Sequence, residues 1–204
     1  MENIKAIIEA LILASEVPVV LEKICLVLPE VEKTQIQETL DNLMAEYNER
    51  AGGICLQEVA GGFQFRTRPE FGPWIKKLKG TKPASFSHAA METLAIVAYR
   101  QPIVKSEIES IRGVDVGYSL KTLLEKKLVR IIGRKDVPGK PIIYGTTKKF
   151  LEVFNLKDLS ELPTLRELKE LNEPGEMKIL EKPDKSAEII ILEEPNETSE
   201  ELPG

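Results

Sequence analysis

Residue types on which many enzymes and metal centres depend are scarce in this 204-residue chain. It contains one histidine, two cysteines and one tryptophan. Cys25 and Cys55 are far from each other and from His88 in the sequence, which leaves no pattern for a metal cluster or a disulfide framework. No apolar run approaches the ~18 residues that a membrane-spanning helix needs, and the N-terminus does not resemble a secretory signal. We therefore expect a cytoplasmic protein.

Motifs for catalysis and for phosphate binding are also missing. The sequence has neither G-x-x-x-x-G-K-[ST] nor G-x-G-x-x-G. The glycine pairs at 52–53 and 61–62 flank a short strand pattern, which is typical of turns. His88 follows Ser87 in "FSHAAMET", a helix start with Ser87 as its cap, where a polar residue is ordinary. These absences predict that the chain is not an enzyme and holds no metal or cofactor.

Charge is distributed unevenly along the chain. The formal net charge is −5, but residues 157–204 carry 14 acids against 6 bases. Residues 105–156 carry 11 bases against 6 acids, and residues 1–79 carry 9 bases against 12 acids. The sequence therefore combines a mildly basic central part with an acidic C-terminal tail.

The first 79 residues show the pattern of three helices followed by a hairpin. Apolar residues recur at helical spacing in the first segment, 2–15, and again over 32–50, with a short helix over 20–26 between them. Proline residues separate these segments. Two strand patterns, "ICLQEV" and "FQFRTR", are joined by a glycine-rich turn at 60–62. Pro69 and Pro73 open a further short segment with Trp74, Ile75 and Leu78, a candidate helix against the first domain.

The same order of elements returns after a linker over 80–86. Helices are predicted over 87–100 and 104–111, a third carries Leu120, Leu123 and Leu124, and strands follow in "LVRIIGR" and "PIIYGTT". The stretch 13–20 aligns on 97–104 at an offset of 84, and Ile24 then meets Ile108. Three helices and a hairpin are the element order of a winged helix. We therefore predict a mainly α protein with small β-hairpins, built from two tandem winged-helix domains, 1–79 and 87–162.

The last segment, 163–204, differs from the rest in composition. It is rich in glutamate and proline and contains no aromatic residue, so we expect an acidic, disordered tail. One apolar patch, Ile189–Leu192, interrupts it between Glu188 and the pair Glu193 and Glu194. This patch is either a docking motif for a partner or an apolar accident in a solubilising tail.

Two uses of such a fold remain open from the residues alone. A winged helix commonly binds DNA through its third helix and its hairpin, and the second domain offers basic residues for phosphate contacts at Lys121, Lys126, Lys127, Arg134, Lys135 and Lys140. Against this, its third helix lacks Arg, Asn or Gln to read a base edge, and the corresponding helix of the first domain is acidic. The first helix is apolar beyond one stripe, which indicates either a second copy of the chain as partner or wide-faced core packing.

Two strings in the second domain carry a family resemblance. "METLAIVAYRQPIVKSEIESIRGVD" and "LKTLLEKKLVRIIGRKDVPGKPIIYGTTKKFLEVFNLKDLSELP" closely resemble segregation and condensation protein B, the partner of the bacterial chromosome-organising SMC ATPase. The opening "IKAIIEALILASEVPV" and the hairpin "GGFQFRTRPEFGPWI" also look like that family. The sequence departs from the family pattern at Tyr118, where a small or branched residue is expected.

The resemblance implies a non-catalytic homodimeric adaptor. It would bind the kleisin subunit, segregation and condensation protein A, reach the SMC ATPase through it, and support chromosome condensation and partition at the nucleoid. Direct contact with DNA or with a membrane is not expected. The alternative is a DNA-binding transcriptional regulator that uses the second domain.

The resemblance and the apolar first helix together predict two sets of contact residues. The candidate dimer interface is Ile4, Ile8, Leu11 and Ile12. The candidate partner contacts lie in the turn and hairpin of the second domain, at Arg100, Arg134, Lys135, Asp136, Lys140 and Tyr144.

Overall fold

Helices and small antiparallel sheets alternate along the chain in a computed structural model that describes residues 3–80, 86–164 and 167. The elements of the first half are α1 (Ile4–Leu13), α2 (Leu21–Val27), α3 (Lys33–Glu49), β1 (Ile54–Val59), β2 (Gly62–Thr67), a 3-10 turn (Pro69–Phe71) and α4 (Gly72–Lys79). Those of the second half are α5 (His88–Arg100), β3 (Ile103–Val104), α6 (Lys105–Arg112), α7 (Gly117–Glu125), β4 (Val129–Arg134), β5 (Ile142–Thr146), α8 (Lys148–Phe154) and a 3-10 turn (Leu159–Glu161). The mixed class predicted from the sequence is confirmed.

Each half of the chain has its own hydrophobic core. The first is built from apolar residues spaced three or four apart on the three N-terminal helices and closed by the first hairpin; its fully buried members include Ile8, Ile12, Ile24, Ile36, Leu40, Leu43 and Leu56. The second has the same construction, with Leu94, Val97, Ile108, Leu120, Leu123, Leu128 and Phe150. Residues 81–85 lie outside the described part of the chain, so the exact boundary between the halves stays a prediction.

The internal repeat has a direct structural counterpart. Val19, just before α2, forms an antiparallel bridge with Phe63 in β2, and Ile103, at the offset of 84, pairs with Tyr144 in β5. Ile24 and Ile108, aligned by the same offset, are both fully buried. In each half, the residue before the second helix is therefore paired with the returning strand of the hairpin.

The two hairpins turn in different ways. The first is a tight turn in which Ala60 has φ 54° and Gly61 has φ 73°, both in the left-handed region, as the twist of a two-residue hairpin requires. The second hairpin, β4–β5, has a longer loop over 135–141 and a bulge between Ile131 and Gly133. It also gains β3 as a third strand, in the order β3–β5–β4.

The start of α5 follows the sequence prediction, while other details differ. The Ser87 hydroxyl accepts a hydrogen bond from the amide of Ala90 at 3.2 Å, so the predicted cap is confirmed. Ala95, an apolar residue in the middle of this helix, is exposed. In α4, Trp74 and Leu78 are also exposed, so the predicted docking of this helix does not use them.

Helix α8 was not predicted, and it connects the two halves. It begins at Thr147, whose hydroxyl accepts a hydrogen bond from the amide of Phe150, and it buries Phe150 in the second core. The chain that follows contacts the first hairpin: Leu156 and Lys157 accept hydrogen bonds through their carbonyls from the amides of Ala60 and Gly61, at 2.9 and 3.0 Å.

Side chains reinforce this joint between the halves. Arg66 of β2 donates to the carbonyl of Glu152 at 2.9 Å and to Oδ1 of Asn155 at 3.2 Å. Lys157 forms an ion pair with Glu58 of β1 at 2.6 Å, which raises the pKa of Lys157. We call these contacts between the first hairpin and residues 152–157 the hairpin joint.

Position 62 has no room for a side chain, because the backbone before α2 lies against Gly62. A Cβ on Gly62 would be 2.9 Å from the carbonyl carbon of Val19 and 3.0 Å from that of Pro18, and backbone atoms cannot move aside as a flexible side chain does. We expect Gly62→Ala to lower the free energy of unfolding by about 2 kcal/mol, measured by urea denaturation. Gly133→Ala is the control, since a Cβ there meets nothing within 4 Å, and equal midpoints for the two variants would contradict the prediction.

Candidate partner-binding surfaces

The loop of the second hairpin displays most of the charged residues predicted as partner contacts. Arg134, Asp136 and Lys140 are exposed, and Arg134 donates to the carbonyl of Lys140 at 3.2 Å. Lys135 instead contacts Oε1 of Glu107 in α6 at 3.1 Å. The loop is thus attached to the start of α6 through Lys135 and presents the other three side chains outward.

Glu107 serves both as the cap of α6 and as the anchor of this loop. Its carboxylate accepts a hydrogen bond from the amide of Val104 at 3.0 Å. That bond, together with the ammonium of Lys135, lowers the pKa of Glu107. The carboxylate is therefore charged over a wider pH range than an isolated glutamate, which keeps the loop attached in mildly acidic solution.

The structure contradicts the predicted partner contact at Tyr144, whereas Arg100 lies at the surface, where a contact residue must be. Tyr144 lies in β5 between Ile103 and Ile131 and is buried in the second core, so it has no surface to offer a partner. Arg100 is exposed in the last turn of α5. The next residue, Gln101, accepts a hydrogen bond from the amide of Thr146 at 2.7 Å, which ties this turn to β5.

Exposed apolar side chains are concentrated where α6 ends and α7 begins. Tyr118 has 82% of its surface exposed, and Ile111 and Val114 are each more than half exposed. We call these three residues the α6–α7 apolar face. Of the three, only Tyr118 stands out in the sequence, as a departure from the family pattern.

Ionic contacts fix the turn that carries this face. Lys105 contacts Asp115 at 2.8 Å and Glu109 at 3.2 Å, and the other oxygen of Asp115 accepts a hydrogen bond from the amide of Gly117 at 2.9 Å. Asp115 therefore has a lowered pKa, chiefly because Lys105 donates to it, and Lys105 has a raised one. The face is held on an ordered turn between two helices.

Of the four α1 residues predicted for the dimer interface, two are buried and two are half-buried. Ile8 and Ile12 are completely or almost completely buried in the chain's own core, so as surface contacts these two are wrong. Ile4 and Leu11 are half-buried. The large apolar residues of α1 that are exposed are Ile7 and Leu13, and neither is among the four.

Contacts with α3 determine which side of α1 is buried. Lys5 forms an ion pair with Glu46, and the hydroxyl of Tyr47 donates a hydrogen bond to Glu9. This hydrogen bond to Glu9 favours the protonated phenol and raises the pKa of Tyr47. A groove of about 240 Å³ lies on the other side of α1, lined chiefly by Leu11, Ala14, Val19, Ile24 and Val27.

Chemically reactive groups are dispersed over the described residues. His88 is exposed and lies 3.3 Å from Glu92, which also pairs with Arg112 at 2.7 Å. Within 3–80 and 86–164, no group of three or more histidine, cysteine or acidic residues could hold a metal ion. The helices of these two ranges are all too short or too polar to cross a membrane.

Comparison with known proteins places the chain in a family. The model of the segregation and condensation complex subunit ScpB matches residues 6–165. Segregation and condensation protein B of Syntrophotalea carbinolica is 47% identical over 165 residues, which cover 81% of this chain and 83% of that protein. The chain belongs to the ScpB family.

The chain is also similar to a longer relative and to a solved domain. Segregation and condensation protein B of Myxococcus xanthus is 45% identical over 166 residues, which make up 81% of this chain but only 50% of that longer protein. A crystal structure of a dimer of the ScpB N-terminal domain complexed with a ScpA peptide is 35% identical, covers 36% of this chain and 91% of that one, and has a TM-score of 0.34. By family, the chain is a subunit of the segregation and condensation complex.

The family match includes nearly all the surfaces described above. The α6–α7 apolar face, the second hairpin, α1 and the hairpin joint all lie within residues 6–165, apart from the first two residues of α1. The ScpB match ends where the predicted acidic tail begins. Of that tail only Pro163, Thr164 and Glu167 are among the described residues, so the expected disorder of 163–204 stays a prediction.

Proposed function

We propose that this chain is a non-catalytic, homodimeric adaptor that binds the kleisin subunit, segregation and condensation protein A, of the SMC complex. Through the kleisin it connects to the SMC ATPase and supports chromosome condensation and partition in the cytoplasm, at the nucleoid. Its two repeated units, 1–79 and 87–162, act as winged-helix domains, the first for dimerisation and the second for kleisin contact. Membership of the ScpB family supports this assignment.

The α6–α7 apolar face is the observation that carries the choice of a protein partner. In a DNA-binding winged helix, the third helix presents Arg, Asn or Gln to base edges in the major groove. Here α7 presents Tyr118, with Ile111 and Val114 beside it in the sequence. Exposed aromatic and branched apolar side chains are typical of the centre of a protein interface.

Dimerisation is proposed to use the exposed side of α1. Ile7 is exposed, and Ile4 and Leu11, three residues before it and four after it, are half-buried on the same side of the helix. Burial of these three apolar side chains against the same surface of a second copy would form a two-fold contact. Ile8 and Ile12 then support the interface from inside rather than contact the partner.

The alternative, a transcriptional regulator, is favoured only by positive charge. Lys121 lies 3.8 Å from Glu125, and Lys135 is held by Glu107, so both of these candidate phosphate contacts face a carboxylate of the chain itself. Charge of this kind gives salt-sensitive binding without sequence preference. A regulator would instead require base-specific affinity that persists at physiological salt.

Kleisin binding to variants of the α6–α7 apolar face tests the proposal. We expect Val114→Ser with Tyr118→Ala to weaken binding of the purified kleisin subunit by roughly thirtyfold, because a central tyrosine in an interface typically contributes about 2 kcal/mol. Isothermal titration calorimetry with the full chain at physiological salt measures this effect. Both residues are exposed, so the variant is expected to stay folded.

The control variant is Lys121→Ala with Lys126→Ala, which removes positive charge close to the same face. It is expected to leave kleisin affinity within a factor of about three, as peripheral charges contribute little to affinity. Anisotropy of a labelled DNA duplex provides the second readout. Sequence-dependent DNA binding that survives physiological salt and is lost in the lysine variant would overturn the adaptor in favour of the regulator.

A further inference from the structure

Helix α4 exposes an apolar stripe that the proposed function does not use. Trp74 and Leu78 have 65% and 87% of their surfaces exposed, and Phe71 in the preceding turn is also exposed. The rings of Phe71 and Trp74 are 6.2 Å apart between centroids. Positions 71, 74 and 78 are separated by three and four residues, which places them on one side of the helix.

Lysine residues flank this stripe on both sides. At 100° per residue, Lys77 lies beside Trp74, and Lys79 lies on the opposite border of the stripe beside the half-buried Ile75. Neither lysine, nor Lys76, has an ion-pair partner within the described residues. We call Trp74, Lys77, Leu78 and Lys79 the α4 face.

The acidic C-terminal segment contains a sequence with the matching pattern. Four consecutive apolar residues, Ile189–Leu192, are preceded by Glu188 and followed by Glu193 and Glu194. An apolar centre with negative charge at both ends is complementary to an apolar stripe with positive charge on both borders. The other apolar pair in this segment, Ile179 and Leu180, lies between Lys178 and Glu181-Lys182 and lacks that pattern.

The chain is long enough for this segment to reach α4. The described body ends near Pro163, whose carbonyl accepts a hydrogen bond from the hydroxyl of Tyr99 at 2.8 Å. The 25 residues from Thr164 to Glu188 span up to about 80 Å when extended. A compact body of this size has a radius of gyration of only about 15 Å.

We infer that residues 188–194 dock on the α4 face of the same chain. Ile189–Leu192 cover Trp74 and Leu78, and the flanking glutamates pair with Lys77 and Lys79. The covalent connection gives the segment an effective concentration on the order of millimolar, which a free partner of equal affinity does not reach. An anionic membrane surface is a weaker occupant because the chain's own net charge is −5.

Trp74 is the only tryptophan in the chain, so its fluorescence reports on the α4 face directly. We expect Ile190→Ser with Ile191→Ser, in the full chain, to raise the acrylamide quenching constant of Trp74 roughly twofold and shift its emission to longer wavelength, because removal of apolar cover exposes the indole to water. The matched control, Ile179→Ser with Leu180→Ser, removes two apolar residues from the same segment and is expected to match the unmodified chain.

Two further measurements complete the test. A synthetic peptide of residues 186–196 is expected to restore protection of Trp74 in the Ile190→Ser, Ile191→Ser variant. Lys77→Glu with Lys79→Glu is expected to expose Trp74 as the tail variant does, and the peptide is expected to have no effect on it. Neither measurement involves a kleisin, so the result is independent of the proposed function.

Three outcomes would overturn the inference. Equal quenching of the unmodified chain and the tail variant would show that the segment does not cover Trp74. If Trp74 is equally protected from acrylamide in the unmodified chain and in the tail variant, and this protection increases with protein concentration, the α4 face would be assigned to a second copy. If phosphatidylglycerol vesicles shift the Trp74 emission equally in the unmodified chain and in the tail variant, and the two do not differ in buffer, the α4 face would be assigned to a membrane surface.

Discussion

Replacing Ile8 by glutamate is expected to unfold the first half of the chain, whereas the same substitution at Ile7 is expected to leave it folded. Ile8 has no exposed surface, so the new carboxylate would be buried among apolar side chains without a partner, at a cost above roughly 4 kcal/mol. Ile7 is 37% exposed, and a glutamate there can reach water. Circular dichroism during urea denaturation measures the difference.

The same pair of variants tests the proposed dimer. Light scattering after gel filtration is expected to give the mass of a folded monomer for Ile7→Glu, because the charge would face a second copy across α1. Leu11→Glu is a second probe, one turn further along the same side of α1. If both variants remain folded and dimeric, the dimer contact lies elsewhere on the chain.

Replacing Arg66 by alanine is expected to release residues 152–162 from the first hairpin. The guanidinium is half-buried, which lowers its pKa although an arginine stays charged, and it donates to the carbonyl of Glu152 and the side chain of Asn155. Loss of these charge-assisted bonds is expected to cost about 2 kcal/mol. Hydrogen exchange should become faster specifically in residues 152–162 and at the amides of Ala60 and Gly61.

Arg134→Ala provides the matched control for Arg66→Ala. Its side chain is exposed and donates only to a neighbouring carbonyl in its own loop, so the substitution is expected to change stability by less than about 0.5 kcal/mol. If residues 152–162 exchange at the same rate in the unmodified chain and in Arg66→Ala, then Arg66 does not hold the hairpin joint.

The helices and hairpins could be predicted because their residues carry strong local signals. Ile36, Leu40, Leu43 and Tyr47 recur at helical spacing, and all four are buried in α3. Ala60-Gly61-Gly62, between two strand patterns, is typical of a hairpin turn. Helix α8 has only seven residues and directly follows a strand, so its pattern was too short to separate from the end of the domain.

Contact surfaces were harder to predict because they depend on which neighbour covers each side of an element. Helix α1 is apolar on most sides, and only the position of α3 decides that Ile8 is core while Ile7 is surface. Tyr144 lies in a strand that has apolar residues on both faces, and its burial follows from pairing with β3 and β4. The hairpin joint uses the carbonyls of Leu156 and Lys157, which every residue type possesses.

The hairpin joint makes the two repeated units unequal in what they can offer another molecule. The turn amides of the first hairpin are already bonded to Leu156 and Lys157, whereas the loop of the second hairpin presents Arg134, Asp136 and Lys140 outward. Within the described residues, the loop of the second hairpin is therefore the more accessible of the two. The same architecture, present twice in one chain, thus presents different surfaces from its two halves, which agrees with the separate roles proposed for them.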